Sequence, residues 1–207
     1  MSSSPSPEPS TPEHLSPTAP PSDRRWGGVT LLWLLPVLAL LLVFVYGFLT
    51  REPADSGDTA PRLGKPLADF TLPDLQGHAV QLAALRGKVV FVNVWATWCS
   101  PCVEEMPTIQ QLYERLHSRG LEILAVSLDA LGAQVVVPFM QSHRLSFPTL
   151  LDTKNRVQLL YRTTGVPESF IVDKRGILVE KVVGPRDWAH PQLLAQFERL
   201  LAMPATD

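Results

Sequence analysis

Val89-Val90-Phe91-Val92-Asn93-Val94-Trp95-Ala96-Thr97-Trp98-Cys99-Ser100-Pro101-Cys102 decides how this chain folds. An apolar run of strand-forming residues delivers two cysteines, spaced C-x-x-C, to the start of a helical segment. The run over 88–95 suits a central strand covered on both faces. The pattern that follows predicts a helix from Cys99 to Arg119, ended by Gly120. Cys99 and Cys102 are the only cysteines in 207 residues. A structural disulfide is a poor reading, since so small a loop barely constrains the unfolded chain. A zinc knuckle would need two more ligands, and the five histidines do not supply them at ligand spacing. The pair therefore reads as a dithiol/disulfide redox site, with no metal and no cofactor expected.

Chemistry follows from position. At a helix start Cys99 lies near unsatisfied backbone N–H groups and the positive end of the dipole, which favour thiolate. Cys99 is thus the expected nucleophile. Pro101 falls in the first turn, where a missing N–H costs nothing. Cys102, further in, is the expected resolving thiol of a mixed disulfide. Cys102, Met106, Ile109, Tyr113 and Leu116 recur at helical spacing as a buried stripe, and Glu105 projects within it, flanked by Leu112. Burial raises a carboxyl pKa. Glu105 is therefore expected to exchange protons with Cys102, with a partly exposed glutamate at the sheet edge as the alternative. Glu104 falls outside the stripe.

The rest of the chain divides into segments. Residues 1–25, rich in Pro and Ser, read as a disordered tail. Residues 26–49 carry no charge, and as a helix they extend about 36 Å at ~1.5 Å per residue, enough for a ~30 Å hydrocarbon core. The stretch exceeds a signal-peptide h-region and lacks a small-x-small cleavage site, so an uncleaved transmembrane anchor is expected. Arg24 and Arg25 before it, against a single Arg51 followed by Glu52, Asp55 and Asp58 after it, form a modest bias that puts the N-terminus in the cytoplasm and the C-terminal domain outside. Residues 50–62 read as a linker. From Gly64 onward there are 14 Lys+Arg and 14 Asp+Glu, a balance that gives no reason to expect nucleic acid as a partner.

Residues 63–203 alternate strand and helix. Hairpins are expected at 70–81 and about Lys174-Arg175-Gly176, a buried strand at 122–128, and helices at 134–143 and 192–201. The expected fold is an α/β three-layer domain with a central mixed sheet.

The stretch from Val92 to Pro107, with Leu63-Gly64-Lys65-Pro66, Leu85-Arg86-Gly87-Lys88 and Thr164-Gly165-Val166-Pro167-Glu168-Ser169-Phe170-Ile171-Val172-Asp173, resembles the thioredoxin superfamily, specifically its membrane-anchored TlpA/ResA/CcmG (DsbE)-type disulfide reductases. The resemblance covers about residues 63–203. It implies a thioredoxin-like fold with an extra strand and helix near 130–151. It implies that Pro167 is a cis-proline opposite Cys99, that Val166 pairs with an extended substrate, and that Trp98 joins them in the substrate surface. Pro107 would kink the active-site helix. Asn93 stands where thioredoxin has a buried Asp, and Glu105 is the acid this branch carries instead. A protein-disulfide reductase acting in cytochrome c maturation is implied, with apocytochrome c or another extracytoplasmic disulfide protein as substrate. Its electron donor would be a DsbD/CcdA-type membrane protein, and its place the bacterial inner membrane with the domain in the periplasm or on the outer side.

Alternatives remain at this point. A disulfide oxidase or isomerase differs only in potential. A peroxidase would need Thr-x-x-Cys where this chain has Thr97-Trp98-Cys99. A Sco-like copper protein carries C-x-x-x-C, although two thiolates can still ligate Cu(I).

Overall fold

The computed structural model describes residues 30–49 and 60–205, which fall in two units. In the first, the backbone is helical over Thr30–Leu49 (α1), with Pro36 inside it. The side chains described there, 36–46, are all exposed and uncharged. Among the described residues no helix is long and apolar enough to cross a membrane. The expected tail and most of the linker lie outside the described residues.

The second unit is built on strand β3, Val89–Trp95, whose seven residues are all buried. A strand buried throughout and apolar but for Asn93 is stable only with cover on both faces, and the sequence supplies it. The sheet runs in the order β5 (Thr149–Leu151), β4 (Leu121–Ser127), β3, β6 (Glu168–Val172), β7 (Leu178–Val183). β3, β4 and β5 are parallel, and β6 and β7 are antiparallel to their neighbours. The mixed sheet and thioredoxin-like α/β fold expected from the sequence are present. A small hairpin, β1 (Thr71–Pro73) with β2 (Ala79–Gln81), stands beside it.

Alternation along β3 sends side chains to two separate cores. Phe91 and Trp95 pack with Met106, Ile109, Leu112 and Leu116 of α2 (Ser100–Leu116), with Val136 and Met140 of α3 (Ala133–Ser142), and with Phe197 and Leu200 of α5 (Pro191–Ala202). Val90, Val92 and Val94 pack on the other face with Leu72, Leu82, Phe170 and Val157 and Tyr161 of α4 (Arg156–Leu160) and its end. Three layers result.

Local chemistry explains the ends. α2 runs on as a 3-10 turn to Arg119 and stops at Gly120, whose φ of 104° favours glycine. Between β6 and β7, the Asp173 carboxylate accepts the Arg175 and Ile177 N–H groups at 2.9 Å each, and Gly176 takes φ 78°. Two short helices have no counterpart in the sequence reading: Leu82–Leu85 and α4. α4 starts where Asp152 accepts the Arg156 and Val157 N–H groups at 2.8 and 2.7 Å. Five residues are too few to show a helical period. Four residues of the expected stripe on α2, Cys102, Met106, Ile109 and Leu116, are buried; Tyr113 is only half-buried, and the flanking Leu112 is buried at that turn instead. The extra helix and strand near 130–151 are α3 and the edge strand β5.

Candidate active site

β3 ends and α2 begins within five residues, and this junction places both cysteines. They are bonded to each other, with Cα atoms 5.2 Å apart, so the described form is oxidised. Cys99 is the N-cap of α2, and its Sγ accepts the Cys102 N–H at 3.2 Å. That donor and the first-turn dipole favour a thiolate on Cys99 once the bond is reduced. Cys102 is fully buried and Cys99 nearly so, whereas the neighbouring Trp98 is 68% exposed.

The Val166–Pro167 peptide bond is cis, and Val166 O lies 3.5 Å from Cys99 Sγ. The loop before β6 thus meets the cysteine pair, as the resemblance implied. Thr97 is tied from the other side: Asp129, at the end of β4, accepts its N–H at 3.0 Å and its hydroxyl at 2.6 Å. Ser127 donates to the same carboxylate at 2.8 Å.

Glu105 is buried, on the same side of α2 as Cys102 and one turn along. The alternative of an exposed glutamate is excluded. Its carboxylate accepts three N–H donors: Asn93 Nδ2 at 2.8 Å on Oε1, Trp188 Nε1 at 2.9 Å and the Arg186 backbone at 3.2 Å on Oε2. Burial pushes its carboxyl above the usual range, and the three donors only partly offset that. A cleft of about 260 Å³ lined by Glu104, Thr108, Pro185, Arg186 and Asp187 joins Glu105 to the surface. Pro107 lies within α2, which continues through it.

Cys99, Cys102, Val166 and Pro167 therefore come together, with Trp98 at the rim and Glu105 beneath. Asn93 faces Glu105 from β3. Sequence reasoning missed Trp188 and Asp129. Trp188 lies 83 positions from Glu105, and nothing local marks either residue as part of the site. The largest cavity among those described, about 520 Å³, lies elsewhere, lined in part by Leu75, Val80, Met140 and Phe147.

A family model for AhpC/TSA proteins matches residues 63–181, a span holding the cysteine pair, the cis-proline loop and Glu105. This chain belongs to the AhpC/TSA family. Within it, the chain resembles the thiol-disulfide oxidoreductase ResA of Bacillus cereus, 35% identical over 149 residues, covering 72% of this chain and 85% of that protein. ResA of Bacillus subtilis is 33% identical over 147 residues, covering 71% and 82%. A crystal structure described as a DsbE thiol:disulfide interchange protein of Chlorobium tepidum superposes with TM-score 0.64 at 30% identity, over 69% of this chain and 100% of that one. This AhpC/TSA member is accordingly of the TlpA/ResA/CcmG type and is a thiol-disulfide oxidoreductase.

Proposed function

We propose that this oxidoreductase works as a disulfide reductase outside the cytoplasm, held to the bacterial inner membrane by residues 26–49 and facing the periplasm or outer side through domain 63–203. The carrying observation is the meeting of Cys99 with Val166 O and cis-Pro167 beside exposed Trp98. The Val166 backbone there can align an extended substrate by strand addition, within reach of the nucleophile.

In the reduced protein the Cys99 thiolate attacks a substrate disulfide, forming a mixed disulfide and releasing one substrate thiolate. The Cys102 thiol passes its proton to the Glu105 carboxylate and attacks Cys99 Sγ. The second substrate sulfur leaves as a thiolate and the Cys99–Cys102 bond re-forms. Two electrons have moved to the substrate, and a membrane donor of the DsbD/CcdA type returns them. The client we propose is the haem-binding C-x-x-C of apocytochrome c, whose thiols must be reduced for haem attachment.

Replacing Cys102 with serine removes the resolving thiol. Cys102→Ser is expected to accumulate mixed disulfides through Cys99, and sequencing the captured chains identifies client and donor. Cells in which the wild-type protein is active but the variant traps nothing would refute the exchange mechanism. A potential near about −270 mV supports reduction, and one near about −120 mV would make the protein an oxidase.

A further inference from the structure

Every partner that Glu105 has in this structure is a donor. Asn93 Nδ2 points at Oε1, while Trp188 Nε1–H and the Arg186 N–H point at Oε2. Such a cradle suits the anion best. When Glu105 takes a proton on Oε1, Oε2 still accepts from Trp188 and Arg186, but the new O–H faces the Asn93 N–H. Two of the three donors, an indole and a peptide N–H, have no acceptor to offer instead. The third does. The two ends of a side-chain amide are nearly isosteric, so Asn93 can exchange one for the other without repacking.

Two further observations bear on that exchange. Asn93 Oδ1 is buried and has no hydrogen-bond partner in its present orientation, so turning the amide over breaks no bond at that end and exchanges an unpaired acceptor there for the N–H pair. Asn93 Nδ2 also donates to Ser169 Oγ at 2.9 Å, across the β3–β6 register in which Asn93 and Ser169 are opposite. A hydroxyl serves equally as acceptor or donor. With the amide turned over, Oδ1 occupies the place of Nδ2 and accepts two hydrogen bonds, from the Glu105 O–H and from the Ser169 O–H.

We propose that Asn93 is a positioning residue that turns its side-chain amide over whenever Glu105 gains or loses a proton, with Ser169 reversing its hydroxyl in step. The amide donates to the carboxylate before Cys102 is deprotonated and accepts from the carboxylic acid afterwards. Glu105 thereby holds one place in both protonation states. The inference rests on the proposed proton exchange between Cys102 and Glu105, and it adds a group that serves both protonation states of that buried acid. The charged or titratable groups around Glu105 are Cys102 and Glu104 on α2, and Arg186 and Asp187 on the segment before α5. Arg186 is held by Glu180 at 2.8 Å. The facing side chains of β3 and β6, Asn93 and Ser169, are neutral.

The chain has only two asparagines, Asn93 and Asn155, so selective nitrogen-15 labelling of the full chain in detergent micelles yields two side-chain amide signals. The oxidised protein is titrated, so that neither cysteine ionises. The Asn93 amide is expected to shift with the same midpoint as the Glu105 carboxyl carbon, and its N–H protons to lose their cross-peaks to Ser169 below that midpoint. Glu105→Gln should abolish the shift. Cross-peaks to Ser169 that persist through the Glu105 midpoint overturn the proposal. So does a Glu105 that keeps one charge state throughout.

Asn93→Leu supplies a second reading. A fixed donor serving only the anion, once removed, would raise the Glu105 midpoint by roughly one unit or more. A partner serving both states leaves the midpoint close to that of the wild type, because anion and acid each lose one bond. The proton exchange itself is tested separately: if Glu105→Gln leaves the Cys102 thiol pKa unchanged, that reading fails whatever Asn93 does.

Discussion

Glu105 shows what one residue contributes to this site. Helical spacing from Cys102 placed it on the buried face, and the structure confirms the burial. Spacing could not show the three N–H donors, because they arrive from β3 and from the segment before α5, 12 to 83 positions away. The raised pKa has a consequence for stability. Folded Glu105 keeps a proton that the unfolded chain releases near its ordinary value of 4.5. Its favourable contribution is therefore complete below 4.5 and is lost as pH rises through the folded pKa. Urea unfolding across pH should show stability falling in that window, and Glu105→Gln should remove that part of the slope. An unchanged slope would mean that the carboxyl is not raised. In the oxidised protein the cysteines do not ionise, which keeps the measurement clean.

At the scale of the element, the turn between β3 and α2 depends on a carboxylate just beyond the end of β4. Asp129 accepts two hydrogen bonds from Thr97 and one from Ser127, and it is 3% exposed. Asp129→Ala leaves the half-buried Thr97 donors and the buried Ser127 hydroxyl without this partner, at a cost of about 1–3 kcal/mol. The same change frees Trp98 and Cys99 to move. We expect a lowered urea midpoint together with a slower attack of reduced Cys99 on a small disulfide. A loss of stability with an unaltered rate would show that Thr97 does not need this tether. On α2, Met106 is fully buried beneath the sheet. Met106→Ala should cost about 2–5 kcal/mol in the same unfolding measurement, without moving the Glu105 titration. Strands, hairpins and the long helices were legible in the sequence because their apolar residues repeat. α4 was not, since a side-chain cap and five residues leave no periodic trace.

For the whole molecule, two cores on opposite faces of one sheet make the site rigid. β3 is central, so the cysteines at its end are anchored by strands on both sides and helices on both faces. The proposed placement of this domain outside the cytoplasm has its own test. A membrane-impermeant maleimide added to intact, reduced cells should label Cys99, and alkaline washing should leave the chain in the membrane fraction. Labelling only after lysis would reverse the proposed orientation. The sequence by itself determined the redox pair, the α/β class and the family resemblance, because each is written in local spacing or in a contiguous motif. The tertiary structure bore out the resemblance in bringing Val166 and cis-Pro167 to Cys99, and it alone decided that Glu105 is buried, that Asp129 holds Thr97, and that Asn93, Trp188 and Arg186 surround Glu105. Those contacts join residues distant in the chain, and their partners are set by strand order and helix packing rather than by any neighbouring residue.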